Sequence, residues 1–202
     1  MRMINSEVRK KLIWQYGSHV PAGLVPISRV DKGDGETAVA NISFTSGIDS
    51  TYSAYVFKVY NFHPVDDNAE LTFQVNDTDA SSYDRPMTSL RVYAYSDEGD
   101  SATAFGYDGT NDQSNDANYQ SLSDNTGNQD SETSSGSLTL YGLADGTHVK
   151  HFVAQFANHL GIEYMRSDIT TGYIDEATAI DDVQFKASSG NFNAIITMYG
   201  VA

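Results

Sequence analysis

From Thr37 to the end of the chain, short apolar segments alternate with polar turn residues, and no segment shows the 3.6-residue period of a helix. Segments 71–76 and 182–186 alternate strictly between apolar and polar residues. This two-residue period is typical of a strand with one buried face. Eight or more such strands exclude a parallel α/β fold and predict an all-β protein, an antiparallel jelly-roll-like β-sandwich.

The remaining strands are predicted from shorter patterns. Segment 55–62 is apolar on both faces apart from Lys58, which predicts a central strand covered on two sides. Asp145-Gly146 is the preferred pair for a type I′ hairpin turn, and 188–191 is expected to join the last two strands in the same way. Two similar segments, 138–143 and 196–201, are candidates for equivalent places in the two sheets. Further strands are expected at 40–45, 90–95, 137–143, 148–156, 172–174 and 194–199.

Length and composition narrow the class of protein. The 202 residues correspond to one domain, and the absence of cysteine excludes disulfides and thiolate metal sites. No segment has the 18 apolar residues of a membrane span or the apolar core of an export signal, so we expect a soluble protein without membrane contact. The net charge of −15 argues against a surface that binds nucleic acid and favours neutral or basic partners.

The charge is divided unevenly along the chain. Residues 1–32 hold six of the twelve basic side chains and two acids, a net charge of +4, whereas residues 33–202 carry −19. We therefore predict a basic N-terminal arm, residues 1–36, and a sandwich domain, residues 37–202. The arm either docks on an acidic surface, such as a neighbouring copy, or is a solubilising leader that frays.

Within the arm, Ser6 is a candidate N-cap for a helix of about ten residues that ends at Gly17. Such a short helix needs a partner surface, and Trp14, the only tryptophan, is its natural anchor. Pro21, Pro26 and 32–35 predict an irregular linker. The residues predicted to attach the protein to its partner are Arg9, Lys10, Lys11 and Trp14.

Segment 96–137 is rich in Asn, Asp, Ser, Thr and Gly and contains no Lys or Arg. Its composition predicts a long, solvated acidic surface loop with one short strand near 102–107. Asp124 to Glu132 places oxygen side chains at every second position, as calcium ligands are, but Gln129 and Ser135 stand where a calcium loop needs glycine and glutamate. We therefore predict no metal and no cofactor.

Catalytic motifs are absent from the sequence. His148 and His151 point to opposite faces of a strand, so we interpret them as ordinary strand histidines. The adjacent acid pairs 66–67, 175–176 and 181–182 diverge rather than flank one bond, and there is no nucleophile elbow or phosphate loop. The sequence predicts a protein that is not an enzyme and has no catalytic residues.

Tyrosines in or beside the polar loops are the better candidates for recognition. They either stack on a sugar or a partner, or cover the open ends of the sandwich. The candidates for contact with a ligand or glycan are Tyr83, Tyr107 and Tyr119, with Tyr164 and Tyr173 in similar positions.

The run Asn41 to Tyr52, NISFTSGIDSTY, followed by Val56 to Pro64, VFKVYNFHP, resembles a family of small β-rich virion proteins encoded in structural gene clusters of marine tailed bacteriophages. The resemblance extends over nearly all of residues 40–202 and leaves out the arm. It continues through FQV at 73–75, VKHF at 149–152, GYI at 172–174, AID at 179–181, VQFK at 183–186, SSGN at 188–191 and MYG at 198–200.

The resemblance implies a non-enzymatic virion component with a jelly-roll-like sandwich, assembled in the host cytoplasm. We expect a structural protein on the particle exterior, either a capsid decoration or a part of the tail or a vertex, with other virion proteins as partners. We also expect a homo-oligomer in which the arm of one copy contacts the next through Arg9, Lys10 or Lys11. The alternatives are a carbohydrate-binding or receptor-binding module of a tail fibre that contacts a host surface glycan and, more remotely, a glycan hydrolase.

Overall fold

The computed structural model describes residues 23–33, 35–79, 81–162 and 164–201. These ranges contain no helix, and hence none that could cross a membrane. They form thirteen strands: β1 (Leu24–Lys32), β2 (Ile42–Phe44), β3 (Ala54–Pro64), β4 (Leu71–Asp77), β5 (Met87–Asp97), β6 (Thr103–Tyr107), β7 (Ser114–Asp116), β8 (Gln120–Ser121), β9 (Ser134–Tyr141), β10 (Lys150–Leu160), β11 (Tyr164–Ile174), β12 (Ile180–Ala187) and β13 (Phe192–Val201).

The strands form two antiparallel sheets of unequal width. The large sheet has the order β1-β13-β3-β9-β10-β11-β5-β6, with β7 paired to β5, and the small sheet has the order β2-β12-β4-β8. The expectation of an all-β protein with two antiparallel sheets is confirmed. We call the side of the large sheet that is turned away from the small sheet its outer face.

Aromatic side chains join the two sheets into one core. Phe57 of the large sheet packs against Phe185 of the small sheet with ring centroids 5.4 Å apart. Phe152 of β10 and Phe73 of β4 meet edge to face at 5.3 Å. Each of these rings is at most 1% exposed, and burying one is worth about 1.5–3 kcal/mol.

The small sheet is too narrow to cover the whole inner face of the large sheet. The segment between β6 and β9 covers the part under β5 and β11, where it contacts Arg91 and Arg166. Strand β6 confirms the short strand expected near 102–107. Because much of 119–134 is buried, the prediction of a solvated loop is wrong for that stretch.

Two strands differ from their sequence patterns in the number of covered faces. Strand β3 is central, as predicted, but only one of its faces is buried, and Tyr60 is 41% exposed. Strand β4 has the alternation of a half-buried strand but is buried on both faces. Gln74 of β4 donates to the carbonyl oxygens of Arg85, Ala117 and Asn118, so crossing loops cover its polar face.

The predicted linker contains a strand. Leu24 to Lys32 forms β1, which pairs antiparallel with β13 along the edge of the large sheet. Pro26 has no backbone N–H, and it is compatible with an edge strand because one row of N–H groups there has no ladder partner. The sheet therefore includes residues that the sequence placed in the arm, and the predicted boundary at residue 37 lies too late.

Three connections differ from their predictions. Strands β9 and β10 form a hairpin, but its loop spans 142–149, and the glycine with positive φ is Gly142, at 67°, not Gly146. Segment 188–191 crosses from the small sheet to the large one instead of closing a hairpin. The similar segments 138–143 and 196–201 lie on both sides of β3 in the same sheet.

Candidate functional site

The three tyrosines predicted to contact a ligand lie on two surfaces. Tyr83 and Tyr119 lie over the outer side of the small sheet, where the Tyr83 hydroxyl is 3.5 Å from an oxygen of Asp182. Tyr107 lies on β6 at the far edge of the large sheet, and its hydroxyl contacts Asp112. The structure brings the first two together and leaves Tyr107 apart, so the three do not form one aromatic platform.

Tyr119 lines a polar cleft of about 370 Å³. The ammonium of Lys186 lies 4.0 Å from its ring centroid, and its hydroxyl contacts Gln184. Because Lys186 covers one face of the ring, the cleft offers a ligand mainly amide, hydroxyl and carboxylate groups. Its lining consists of Glu70, Thr72, Thr110, Asn111, Asp112, Gln113, Asp116, Asn118, Tyr119, Ser121, Lys186 and Ser188.

Side-chain amides and a hydroxyl hold the wall of this cleft. Ser89 accepts from the backbone N–H of Gln113 at 2.9 Å and donates to Gln120 Oε1 at 2.6 Å. Gln120 in turn donates to the carbonyl of Asn111 at 2.9 Å. These bonds tie a segment with little regular structure to β5, so the cleft is preformed.

A buried ionic cluster lies behind the floor of the cleft. Arg91 is fully buried and donates to Asp168 Oδ1 at 3.0 Å and to Ser121 Oγ, on the cleft floor, at 2.9 Å. Arg166 donates to Asp168 at 2.9 Å, and Asn158 donates to the other Asp168 oxygen at 2.6 Å. Asp168 is therefore the carboxylate that holds the two arginines together.

The loop segment supplies the other two carboxylates of this cluster. Arg166 contacts Asp108 at 2.6 Å and Asp124 at 2.7 Å. The guanidinium carbon of Arg166 lies 4.2 Å from the ring centroid of Tyr93, which adds a cation–π contact. The ionic cluster, Arg91, Arg166, Asp108, Asp124 and Asp168, thus fastens a polar segment to the inner face of the large sheet.

Strand pairing explains how these groups meet. Alternation along β5 and β11 turns Arg91, Arg166 and Asp168 to the inner face, and the register pairs Thr170 with Arg91. None of these three residues was predicted from the sequence. The signal was present as charged residues at inward positions of β5 and β11.

The acidic run from Asp124 to Glu132 is partly buried. Asp124 is 5% exposed beside Arg166, and Glu132 is 2% exposed and accepts from the backbone N–H of Gln129 at 2.8 Å. Its interpretation as a solvated acidic stretch is therefore wrong for these two carboxylates. Within the described ranges, no group of three His, Cys, Asp or Glu side chains is placed to hold a metal ion. Folding without metal stays a prediction.

The same arginines act differently on two of the carboxylates. Burial favours the neutral form of Asp108, but the hydrogen bond from Arg166 and the charge of Arg91 outweigh it and lower the pKa of Asp108. Asp124 is buried more deeply, and burial raises its pKa to about 6 against the attraction of both arginines.

The raised pKa of Asp124 predicts a specific pH dependence of stability. An unfolded Asp loses its proton near its ordinary value of 3.8, whereas Asp124 in the folded protein keeps it up to about pH 6. The Asp124 contribution to the free energy of unfolding therefore falls as pH rises from about 4 to about 6. We therefore expect the free energy of unfolding of Asp124→Asn, relative to that of the wild type, to increase by on the order of 2–3 kcal/mol as pH rises through this range. Urea unfolding at a series of pH values measures the difference, and a pH-independent difference would refute the assignment.

The histidines occupy separate surroundings. His148 lies in the β9–β10 loop, not in a strand, and its Nδ1 is 2.9 Å from Asp145. His151 is exposed on β10 beside Tyr173, and the two rings are 6.5 Å apart. The strand interpretation is correct for His151 and wrong for His148.

The outer face of the large sheet is the second candidate surface. Ten of the twelve large hydrophobic side chains that are exposed in the described ranges project from it, and the other two, Val65 and Ile162, lie in loops. From β13 across to β6, the described outward positions include no Asp or Glu, and Lys58 is the one formal charge. The ten are Leu24, Tyr60, Leu90, Phe105, Tyr107, Tyr141, Val153, Met165, Ile169 and Tyr173.

The predicted attachment residues Arg9, Lys10, Lys11 and Trp14 lie outside the described residues, as does the predicted helix of the arm. No family model, curated protein or solved structure matches this chain.

Proposed function

We propose that this chain is a bacteriophage structural protein that is displayed on the virion exterior, as a capsid decoration or a part of the tail or a vertex. The observation that carries the proposal is the separation of charge from apolar surface. A chain with a net charge of −15 has a wide sheet face that exposes ten large hydrophobic side chains and, from β13 to β6, has no carboxylate at the described outward strand positions. Exposed apolar patches of this size mark interaction surfaces.

The sandwich and the basic arm have separate roles in this proposal. The sandwich is of the jelly-roll kind, the basic arm attaches it to the particle through Arg9, Lys10, Lys11 and Trp14, and copies associate with one another. The proposed partners are other virion proteins, and the protein performs no catalysis.

Removal of the N-terminal segment tests the attachment role. Because β1 begins at Leu24, a chain that lacks residues 1–22 retains every described strand. We expect it to be folded, with an unchanged β-sheet circular dichroism spectrum, and to be absent from purified virions that contain the full chain at many copies. Quantitative mass spectrometry measures the copy numbers of the full and the shortened chain in the particles. Normal incorporation of the shortened chain, or absence of the full chain from virions, would refute the proposal.

A longer deletion provides the matched control. Removing residues 1–36 also removes β1 and exposes the edge of β13, whose ladder partner it is. This variant is expected to aggregate or to lose stability because a bare edge strand pairs with other chains. Loss of attachment is therefore informative only for the deletion that ends at residue 22.

The cleft beside Tyr119 favours a second candidate function, recognition of a host surface glycan by a tail-fibre module. Its lining is polar, its wall is preformed, and the buried side-chain oxygen of Gln113 in it has no hydrogen-bond partner. Neutral sugars present hydroxyl donors to such oxygens. A glycan array with the wild type and with Gln113→Ala separates the two proposals, since only a glycan receptor shows binding that this substitution removes.

A further inference from the structure

The outer face of the large sheet has a mainly apolar band at its centre, interrupted by the polar side chain of Thr171. Val153 of β10 and Leu90 of β5 both flank Thr171 of β11, and Val153 is 41% and Leu90 47% exposed. In the next row of pairs, Ile169 lies between Gln155 and Val92, which pairs onward with Tyr107. The band thus runs across four hydrogen-bonded strands, a rigid surface that needs no rearrangement to bind.

Shallow depressions lie between the protruding side chains of this face. One of about 420 Å³ is bounded by Leu90, Val153 and Tyr173. Another, of about 430 Å³, is bounded by Lys58 and Tyr60 and is lined by small residues of β9, β10 and β11. Projections beside depressions allow two such faces to interdigitate, as the inner faces of a sandwich do.

The area of the face is sufficient for a stable dimer. Seven strands at a spacing of about 4.8 Å, each about nine residues long with a rise of about 3.3 Å, cover roughly 900–1,000 Å². A standard interface buries about 800 Å² on each partner. One face therefore fulfils the size requirement without any other contact.

Charge determines which partner fits. Two copies that meet at any acidic surface bring like charges together, and each copy carries −15. On the outer face between β13 and β6, the described residues contribute no carboxylate. This face allows two copies to approach with most of their acidic side chains apart. The segment between β6 and β9 covers the opposite side of the large sheet and the outer side of the small sheet, and it reaches this face at the β6 edge, where Asp112 contacts Tyr107.

The N-terminal segment of the same chain fits this face less well. Residues 1–22 carry four basic side chains and one acid, and basic side chains need carboxylates as partners. From β13 to β6 the described outward strand positions supply none and already hold Lys58, and the one outward carboxylate of β1, Asp31, is paired with Arg29. A basic segment is therefore better matched to the acidic surfaces elsewhere on the molecule or on its assembly partner.

We propose that the outer face of the large sheet, centred on Val153, Ile169 and Leu90, is a homotypic interface that binds the same face of a second copy of this chain. The inference depends on the proposed function in one respect, that copies of the chain associate. It adds the surface through which they do so, and it leaves the N-terminal segment and the cleft outside the interface.

A matched pair of substitutions tests the interface. Ile169→Glu places a carboxylate near the centre of the face, whereas Ile162→Glu places the same carboxylate in the β10–β11 turn, where Ile162 is 62% exposed. We expect the wild type and Ile162→Glu to sediment as dimers, and Ile169→Glu to raise the dimer Kd at least about a hundredfold, because like charges across an interface cost several kcal/mol. Unchanged association of Ile169→Glu, or a monomeric wild type, would overturn the proposal.

A crosslinking experiment makes the test independent of how Ile169→Glu folds. The chain contains no cysteine, so Thr171→Cys places a single thiol between Val153 and Leu90. A short bis-maleimide should join two copies of this variant, and a cysteine at Thr110, in the polar cleft, should give no product under the same conditions. Equal crosslinking at both positions would count against the proposal.

Salt and the N-terminal deletion separate this inference from the proposed function. An apolar interface between acidic copies strengthens as salt screens their repulsion, whereas an interface formed by Arg9, Lys10 or Lys11 weakens as the Debye length falls below roughly 8 Å. The chain that lacks residues 1–22 is expected to keep its dimer Kd. If salt dissociated the dimer and the deletion abolished it, the sheet interface would be refuted and the attachment proposal would stand. If the protein formed dimers but was absent from virions, the attachment proposal would be refuted and the sheet interface would stand.

Discussion

Replacing Asp168 by alanine is expected to lower the free energy of unfolding by about 3–5 kcal/mol. Asp168 is fully buried and accepts from Arg91, Arg166 and Asn158. Its removal leaves Arg91, itself fully buried, without the carboxylate that neutralises it. The nearest remaining carboxylate oxygens are those of Asp108 at 3.8 Å and Asp124 at 3.9 Å. A buried charge without its partner costs much more than the pair contributes in net stability.

Urea unfolding followed by tyrosine fluorescence or circular dichroism measures this loss at neutral pH. Asp31→Ala is the matched control, because Asp31 also bonds an arginine, Arg29, at 2.8 Å, but both side chains are about half exposed. Such a surface pair contributes about 0–1 kcal/mol. If both variants lost the same stability, the ionic cluster would not be what fastens the polar segment to the sheet.

Most of the strands could be predicted from the sequence because the alternation of apolar and polar residues indicates which face of a strand is buried. Strand β12 shows this directly, since Val183 and Phe185 are fully buried and their neighbours are not. Alternation cannot say whether the polar face is also covered. In β4, Gln74 is polar and yet fully buried. Its burial is possible because its side-chain amide donates to three carbonyl oxygens in the loops that cross this strand.

The polar segment between β6 and β9 shows where composition fails. Asn, Ser and Asp ordinarily indicate solvent exposure because burying them unpaired costs free energy. Here the partners exist, but Arg91 and Arg166 are separated from Asp124 by 33 and 42 residues in sequence. A pattern confined to one segment cannot show that a distant strand supplies the neutralising charge.

The candidate surfaces were predictable to different degrees. Tyr119 was selected from its polar neighbourhood, and it does line a cleft, but the position of Lys186 over its ring depends on how β12 lies beside the loop. The apolar outer face follows from several strands at once. Its residues, such as Val153 and Ile169, look unremarkable singly, and they become one surface only when the sheet order is known.

Two glycines of the large sheet lie beside phenylalanines of β10. Gly172 of β11 is paired with Phe152, and Gly136 of β9 is paired with Phe156, so each buried ring leans over a neighbouring residue that has no side chain. A Cβ atom added to Gly172 would lie 2.8 Å from Phe152 Cζ and closer still to the carbonyl oxygen of Thr88 on the adjacent strand. The ring could shift, but the carbonyl belongs to the hydrogen-bonded ladder and has little room to move.

Gly172→Ala is therefore expected to destabilise the protein by about 2–3 kcal/mol, although alanine is otherwise the better residue inside a strand. Gly136→Ala should have a similar effect, since its Cβ would meet the carbonyl of Gln155 and the ring of Phe156. Gly146→Ala is the control, because a Cβ there meets nothing within 4 Å, and it should be neutral or slightly stabilising. Thermal and urea unfolding of the three variants decide the matter. If Gly172→Ala and Gly146→Ala were equally stable, the Phe152 ring and the adjacent strand would be able to move away from the added Cβ atom without loss of stability. The close packing of β10 against its neighbours would then not contribute to the stability of the sheet.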